Sequence, residues 1–155
     1  MWMQTSESGA NNMAEHFVDP TLKGNYIIKD AIHLFHQEQS QEQYIAACMA
    51  IRQCMIYEGH MVFPADITDD DDGGTSFLFK TVDINDMSFL VAFTDQEEYK
   101  KAPASGAVSQ FIDSMLECVM EQDGIDGMTI NPRGEHFVLC KADIALILGQ
   151  EDRGL

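Results

Sequence analysis

Between Ile27 and Met55 apolar residues return every three or four positions, whereas over 61–94 they form short alternating or continuous blocks rich in β-branched and aromatic side chains. A period near 3.6 lines one side of a helix, and a period of 2 lines one face of a strand. This change of period restricts the chain to folds that keep helical and sheet segments apart. It predicts an α+β domain: a mixed, mainly antiparallel sheet of about five strands, with an N-terminal helical hairpin and further helices packed on it.

Ile27, Ile28, Ala31, Ile32 and Phe35 mark the first helix, whose other side carries Lys29, Asp30 and His33. The polar stretch HQEQSQEQ then interrupts the pattern, and Ser40 with Gln43 three residues on has the spacing of a capping box. Tyr44, Cys48, Ile51 and Met55 stripe a second helix that ends near Gly59. Two amphipathic helices across a short polar loop pack as a hairpin.

Strands are predicted over 61–67, 76–82 and 88–94. Pro64 assigns the first to an edge or a bulge, because proline has no N–H for a ladder. The third is apolar enough to be a central strand covered on both faces. Between them, Asp69 to Asp72 followed by Gly73 and Gly74 reads as a solvated loop, and Asn85 and Asp86 sit in a hairpin-length connection. Thr94 and Glu97 form a second capping-box candidate, opening a short helix that stops before Pro103.

Residues 104–106 read as a connector. Phe111, Ile112, Met115, Leu116, Val119 and Met120 then define another amphipathic helix. Short strands over 128–130 and 136–140 flank Asn131-Pro132-Arg133-Gly134, which has the residues of a type I turn, and a helix over 143–148 closes the chain.

A chain of 155 residues has room for one core. The polar first stretch and the last residues divide it into a flexible tail over 1–22, a single domain over 23–150 and a second tail over 151–155. Against 26 carboxylates stand 9 lysines and arginines, a net charge of −17. Binding a phosphate backbone depends on clustered cations, and no short window holds three, so a nucleic-acid partner is not expected. The same field repels anionic membranes and favours basic partners. With no long apolar run, no secretory signal and four cysteines without CxxC spacing, the expected setting is a reducing cytoplasm, with Cys48, Cys54, Cys118 and Cys140 filling the core.

Reactive arrangements are not apparent. A calcium loop centred on Gly73 or Gly74 would need glutamate where Phe79 or Lys80 stands. His33 and His36 read as residues at the margin of a buried stripe, and His136 beside Glu135 as a strand residue. No glycine loop of the phosphate-binding kinds occurs. The expectation is therefore no catalytic residue, no metal and no cofactor.

Two segments, FLVAFTDQEEYKK over 89–101 and GMTINPRGEHFVLCKADIALIL over 127–148, resemble the N-terminal domain of SseB-type proteins, named for a type III secretion enhancer. Phe93, Thr94, Glu97 and Glu98 match one family element; Ile130, Asn131, Pro132, Gly134 and Glu135 match a second; Asp72, Gly73 and Gly74 fit a preceding turn. Arg133 departs from the family, which often has an aromatic or other residue after the proline. The resemblance spans about 61–148 and implies an α+β fold without established enzymatic activity.

Taken together these readings point to a non-enzymatic protein-interaction or regulatory module whose partner is another protein or a second copy of the chain. Both matched elements, if set at one end of neighbouring strands, would present Asp95, Asn131 and Arg133 as a patch. The competing reading is an enzyme or small-ligand protein whose site gathers distant residues such as Cys140, His136 and a carboxylate.

Overall fold

The computed structural model describes residues 2–5, 20–104 and 106–149. Most of the expected N-terminal tail and the segment 151–155 lie outside them. Within the tail Trp2–Thr5 forms β1, and a 3₁₀ turn over Pro20–Asn25 crosses from the tail into the domain. Two helices follow, α1 (Tyr26–Gln37) and α2 (Gln41–Ile56), packed as the expected hairpin. Ser40 caps α2, its hydroxyl accepting from the Gln43 N–H at 3.1 Å.

The architecture is α+β and mainly antiparallel, but its strands divide into two four-stranded sheets in place of one sheet of five. The first has the order β1-β3-β2-β6, with β2 at His60–Asp69, β3 at Thr75–Phe79 and β6 at Ala107–Phe111. The second has the order β4-β5-β7-β8, with β4 at Thr81–Ile84, β5 at Met87–Ala92, β7 at Gly127–Ile130 and β8 at Phe137–Cys140. Between β5 and β7, the one parallel pair among the described residues, run α3 (Gln96–Lys100), β6 and α4 (Ile112–Glu121). Helix α5 (Lys141–Leu148) closes the described fold.

Pro64 explains the division. Its carbonyl accepts from the Lys80 N–H at 2.9 Å, but it has no N–H to return. The Lys80 carbonyl accepts instead from Val91 of β5 at 3.1 Å. The extended run expected over 76–82 is therefore broken at Lys80, with β3 in one sheet and β4 in the other. On the other side of the proline, Val62 bridges to Phe93 just beyond β5. Pro64 thus occupies neither a sheet edge nor a simple bulge; it marks where β2 leaves one neighbour for another.

Strand alternation builds two apolar cores. Met61, Phe63, Leu90 and Ala92 face the larger one, together with Ile28 and Ile32 of α1, Cys48 and Ile51 of α2 and the inner faces of α4 and α5. Val62, Val91 and Phe93 face the opposite way, against Leu22, Tyr99 and Ala107. Residues 89–92 are all buried, so β5 is covered on both faces as its sequence predicts. The strand β6 was not apparent in the sequence: only five residues long, it precedes the apolar stripe of α4 without a turn between them.

Candidate functional site: the ends of β5 and β7 and the outer face of α2

Thr94 and Asn131 lie just past the C-terminal ends of the neighbouring parallel strands β5 and β7, as the proposed patch requires. Asn131, however, is only 3% exposed, with φ at 54° in the left-handed region that asparagine tolerates. Its Oδ1 accepts from the Thr94 N–H at 3.0 Å and its Nδ2 donates to Thr94 Oγ1 at 3.0 Å. The Asn131 carbonyl accepts from Gly134 at 3.0 Å, closing the expected turn. Asn131 therefore ties two loops from inside and presents no side chain to a partner, while Arg133 is exposed and Asp95 half-exposed.

Thr94 does not cap α3. It is fully buried against Asn131, and the cap passes to Asp95, whose Oδ1 accepts from the Glu98 N–H at 2.9 Å. Behind this cap lies an ionic cluster. The Lys29 ammonium is 3.3 Å from Asp95, 3.2 Å from Glu97 and 3.3 Å from Glu98. Burial pulls its pKa down, but Asp95, Glu97 and Glu98 outweigh burial and hold it above the ordinary lysine value.

The Glu98 side chain is 6% exposed and also pairs with Lys101 at 2.9 Å. A Cβ on residue 134 would press on Glu98 Oε1, so a larger residue there would have to move that carboxylate. Asn25 completes the interlock, its Nδ2 donating to the His60 and Thr94 carbonyls at 2.6 and 2.8 Å. The residues matching the SseB-type pattern thus carry backbone geometry and internal pairing.

The reactive constellations considered from sequence are not drawn together. Cys140 is exposed, because alternation along β8 turns Phe137 and Leu139 inward; it is not a core thiol but the N-cap of α5. Its Sγ contacts Asp143 Oδ2 at 3.0 Å, and that oxygen also accepts from the Tyr44 hydroxyl at 2.6 Å. The His136 ring packs against His36, 5.4 Å between centroids. His33 bonds Glu135 at 2.9 Å and His36 bonds the His136 carbonyl at 2.7 Å, so both pin α1 to the β7–β8 hairpin. In the acidic loop Ser76 donates to the Asp70 carboxylate at 2.9 Å. No group of three or more metal-ligating side chains occurs among the described residues.

Open apolar surface lies elsewhere. The inner side of α2 buries Ala47, Cys48, Ala50, Ile51 and Cys54, yet its solvent side also carries Ile45, Met49 and Ile56, which are 42%, 47% and 58% exposed. These positions are four and seven residues apart and lie along one outer face. Tyr57, 78% exposed, continues the ridge. Apolar residues on the outer as well as the inner side of α2 are the sequence signal for this surface, although Glu42, Arg52 and Gln53 interleave with them.

Carboxylates stand at the two ends of the ridge, Glu42 before Ile45 and Glu58 after Ile56, while Arg52, between Met49 and Ile56 on the same side, adds one cation to it. Asp30, Glu38, Glu42 and Glu58 are exposed. The lysine and the arginine of the two helices are both engaged, Lys29 in the ionic cluster and Arg52 donating to the Ile147 carbonyl. At its C-terminal end the ridge meets a cleft of about 630 Å³ between α2 and the start of α1, lined by Asn25, Ile27, Gln53, Cys54, Tyr57 and Glu58 among others. No lysine or arginine lines it.

No described helix is long and apolar enough to cross a membrane. Comparison of the chain with family models, with curated proteins and with solved structures gives no match.

Proposed function

We propose that this domain is a non-enzymatic protein-interaction or regulatory module, working in the cytoplasm, whose acidic surface selects basic protein partners. The observation that carries this reading is the apolar ridge on the outer face of α2, with the exposed carboxylates Glu42 and Glu58 at its two ends. An exposed apolar stripe on a folded domain is the usual mark of a contact surface, and carboxylates at its ends steer partners of opposite charge. The net charge of −17 extends that steering beyond the ridge. The likeness to SseB-type domains, for which no enzymatic activity is implied, agrees with it.

The test is capture from the native cell on the immobilised domain at low and high salt. Basic proteins retained at low salt and released at high salt are the expected result. Retention of the same proteins at both salt concentrations would remove the electrostatic part of the proposal. A small-ligand role draws support from the cleft, whose volume falls within the range of roughly 300–1,000 Å³ typical of ligand sites. Ligand-observed NMR with a fragment set, checked for competition with captured protein, separates the two.

A further inference from the structure

We propose that the outer face of α2 and the cleft at its C-terminal end dock a basic amphipathic helix of a partner protein. The partner's apolar stripe covers Ile45, Met49 and Ile56, and one of its lysine or arginine side chains enters the cleft beside Tyr57 and Glu58. This rests on the reading of the domain as an interaction module and names the class of partner and the place where it sits.

The ridge has the dimensions of a helix-in-groove contact. Ile45 to Ile56 spans three turns of α2, and apolar anchors at three- and four-residue spacing are what a partner helix offers in return. Ala46, also exposed, follows Ile45 on the same side and leaves room for a close approach. A second copy of this chain is a poor occupant, because its own ridge brings Glu42, Glu58 and a further −17 of charge against the same carboxylates. A helix with lysines or arginines at the ends of its apolar stripe meets Glu42 at one end of the ridge and Glu58 at the other.

The cleft supplies the second observation. Glu58 is exposed at its wall with no ion-pair partner among the described residues, and Tyr57 presents a ring next to it. A carboxylate and an aromatic face beside an apolar floor of Ile27 and Cys54 form a fitting receptor for a long cationic side chain, whose stem packs while its head pairs. Glu58 also stands where α2 ends in a Schellman motif: Gly59 N–H donates to the Cys54 carbonyl at 2.8 Å and Glu58 N–H to Met55 at 3.0 Å. The left-handed position of that motif ordinarily holds glycine, yet Glu58 occupies it with φ at 62°. Replacing Glu58 by glycine therefore removes the carboxylate while relieving the backbone, so any loss of binding cannot come from unfolding.

The probe is a fluorescein-labelled peptide of about 15 residues, long enough to form a helix, with leucine at helical spacing and lysine elsewhere. A scrambled peptide of the same composition and a version with glutamate for lysine are the comparators. Fluorescence anisotropy on the full chain should give about tenfold tighter binding of the patterned peptide than of the scrambled one. Met49→Asp should erase that preference, and Glu58→Gly should weaken the patterned peptide about threefold or more.

Equal affinity for the two basic peptides, both released by salt, overturns the docking site while leaving the basic-partner reading in place. Equal affinity for the acidic peptide overturns both. A dimer in light scattering that Met49→Asp dissolves, with no preference among peptides, overturns it in favour of a second copy. Retained affinity in Glu58→Gly overturns the cationic anchor.

Discussion

Thr94 and Asn131, 37 residues apart in sequence, close a two-bond ring in which the backbone N–H of one and the side-chain amide of the other are both satisfied. Because both residues are buried, neither group can turn to water when its partner is removed. Asn131→Ala should cost about 2–4 kcal/mol, adding an unpaired Thr94 donor to the strain of alanine in the left-handed region. Asn131→Gly should recover about 1 kcal/mol of that, because it relieves the strain but not the lost bonds. Urea unfolding of the two variants checks both numbers.

The contact between Gly134 and Glu98 predicts coupling. Gly134→Ala should destabilise by about 1–2 kcal/mol, since its methyl displaces a carboxylate held by Lys29 and Lys101. With Glu98 replaced by alanine first, the same change should cost close to nothing. A double-mutant cycle should therefore return an interaction energy of about 1 kcal/mol or more, and additive costs would show that residue 134 acts on something else.

Alkaline pH should destabilise the fold through Cys48 and Lys29. Burial, reinforced by Asp143 and Cys140, pushes the Cys48 thiol from 9.0 up to about 12. Lys29 is likewise held above its ordinary 10.5, the pull of Asp95 and the bonds with Glu97 and Glu98 outweighing burial. Both groups hold their proton more tightly when folded than when unfolded. Their contribution is therefore complete below the unfolded values and is lost as pH rises, from 9.0 to about 12 for Cys48 and from 10.5 upward for Lys29. The urea midpoint should be level near neutrality and fall above pH 9.0, less steeply in Cys48→Ala.

Asp95 should behave as a cap and not as a contact residue. Asp95→Ala should lower stability by about 1 kcal/mol, while Asp95→Asn, which keeps the acceptor for the Glu98 N–H, should lose less. Neither should change the affinity for the patterned basic peptide by more than the lost charge implies.

Local signals in the chain reached far into the fold. The inner stripes of α1, α2 and α4, the Ser40 cap and the turn closed by Asn131 and Gly134 follow from spacing and residue type, because each depends on neighbours within a few positions. The division into two sheets did not, although Pro64 stood in plain view. Its effect depends on Lys80 and Val91 meeting it in space, which no local pattern encodes. Asn131 was legible as a turn residue but not as a buried one, since burial here comes from Thr94, far off in sequence. The α2 ridge of Ile45, Met49 and Ile56 is less legible, because the inner stripe of the same helix already accounts for a core.

The docking face is tested most directly by amide chemical shifts of the labelled full chain as the patterned basic peptide is added. The account predicts that the largest changes fall on Ile45 to Glu58 and on the cleft residues Gly24 to Ile27, and that Met49→Asp removes them. Changes centred instead on the Asp69 to Gly74 loop, or on residues 94–98 and 131–135, would contradict it.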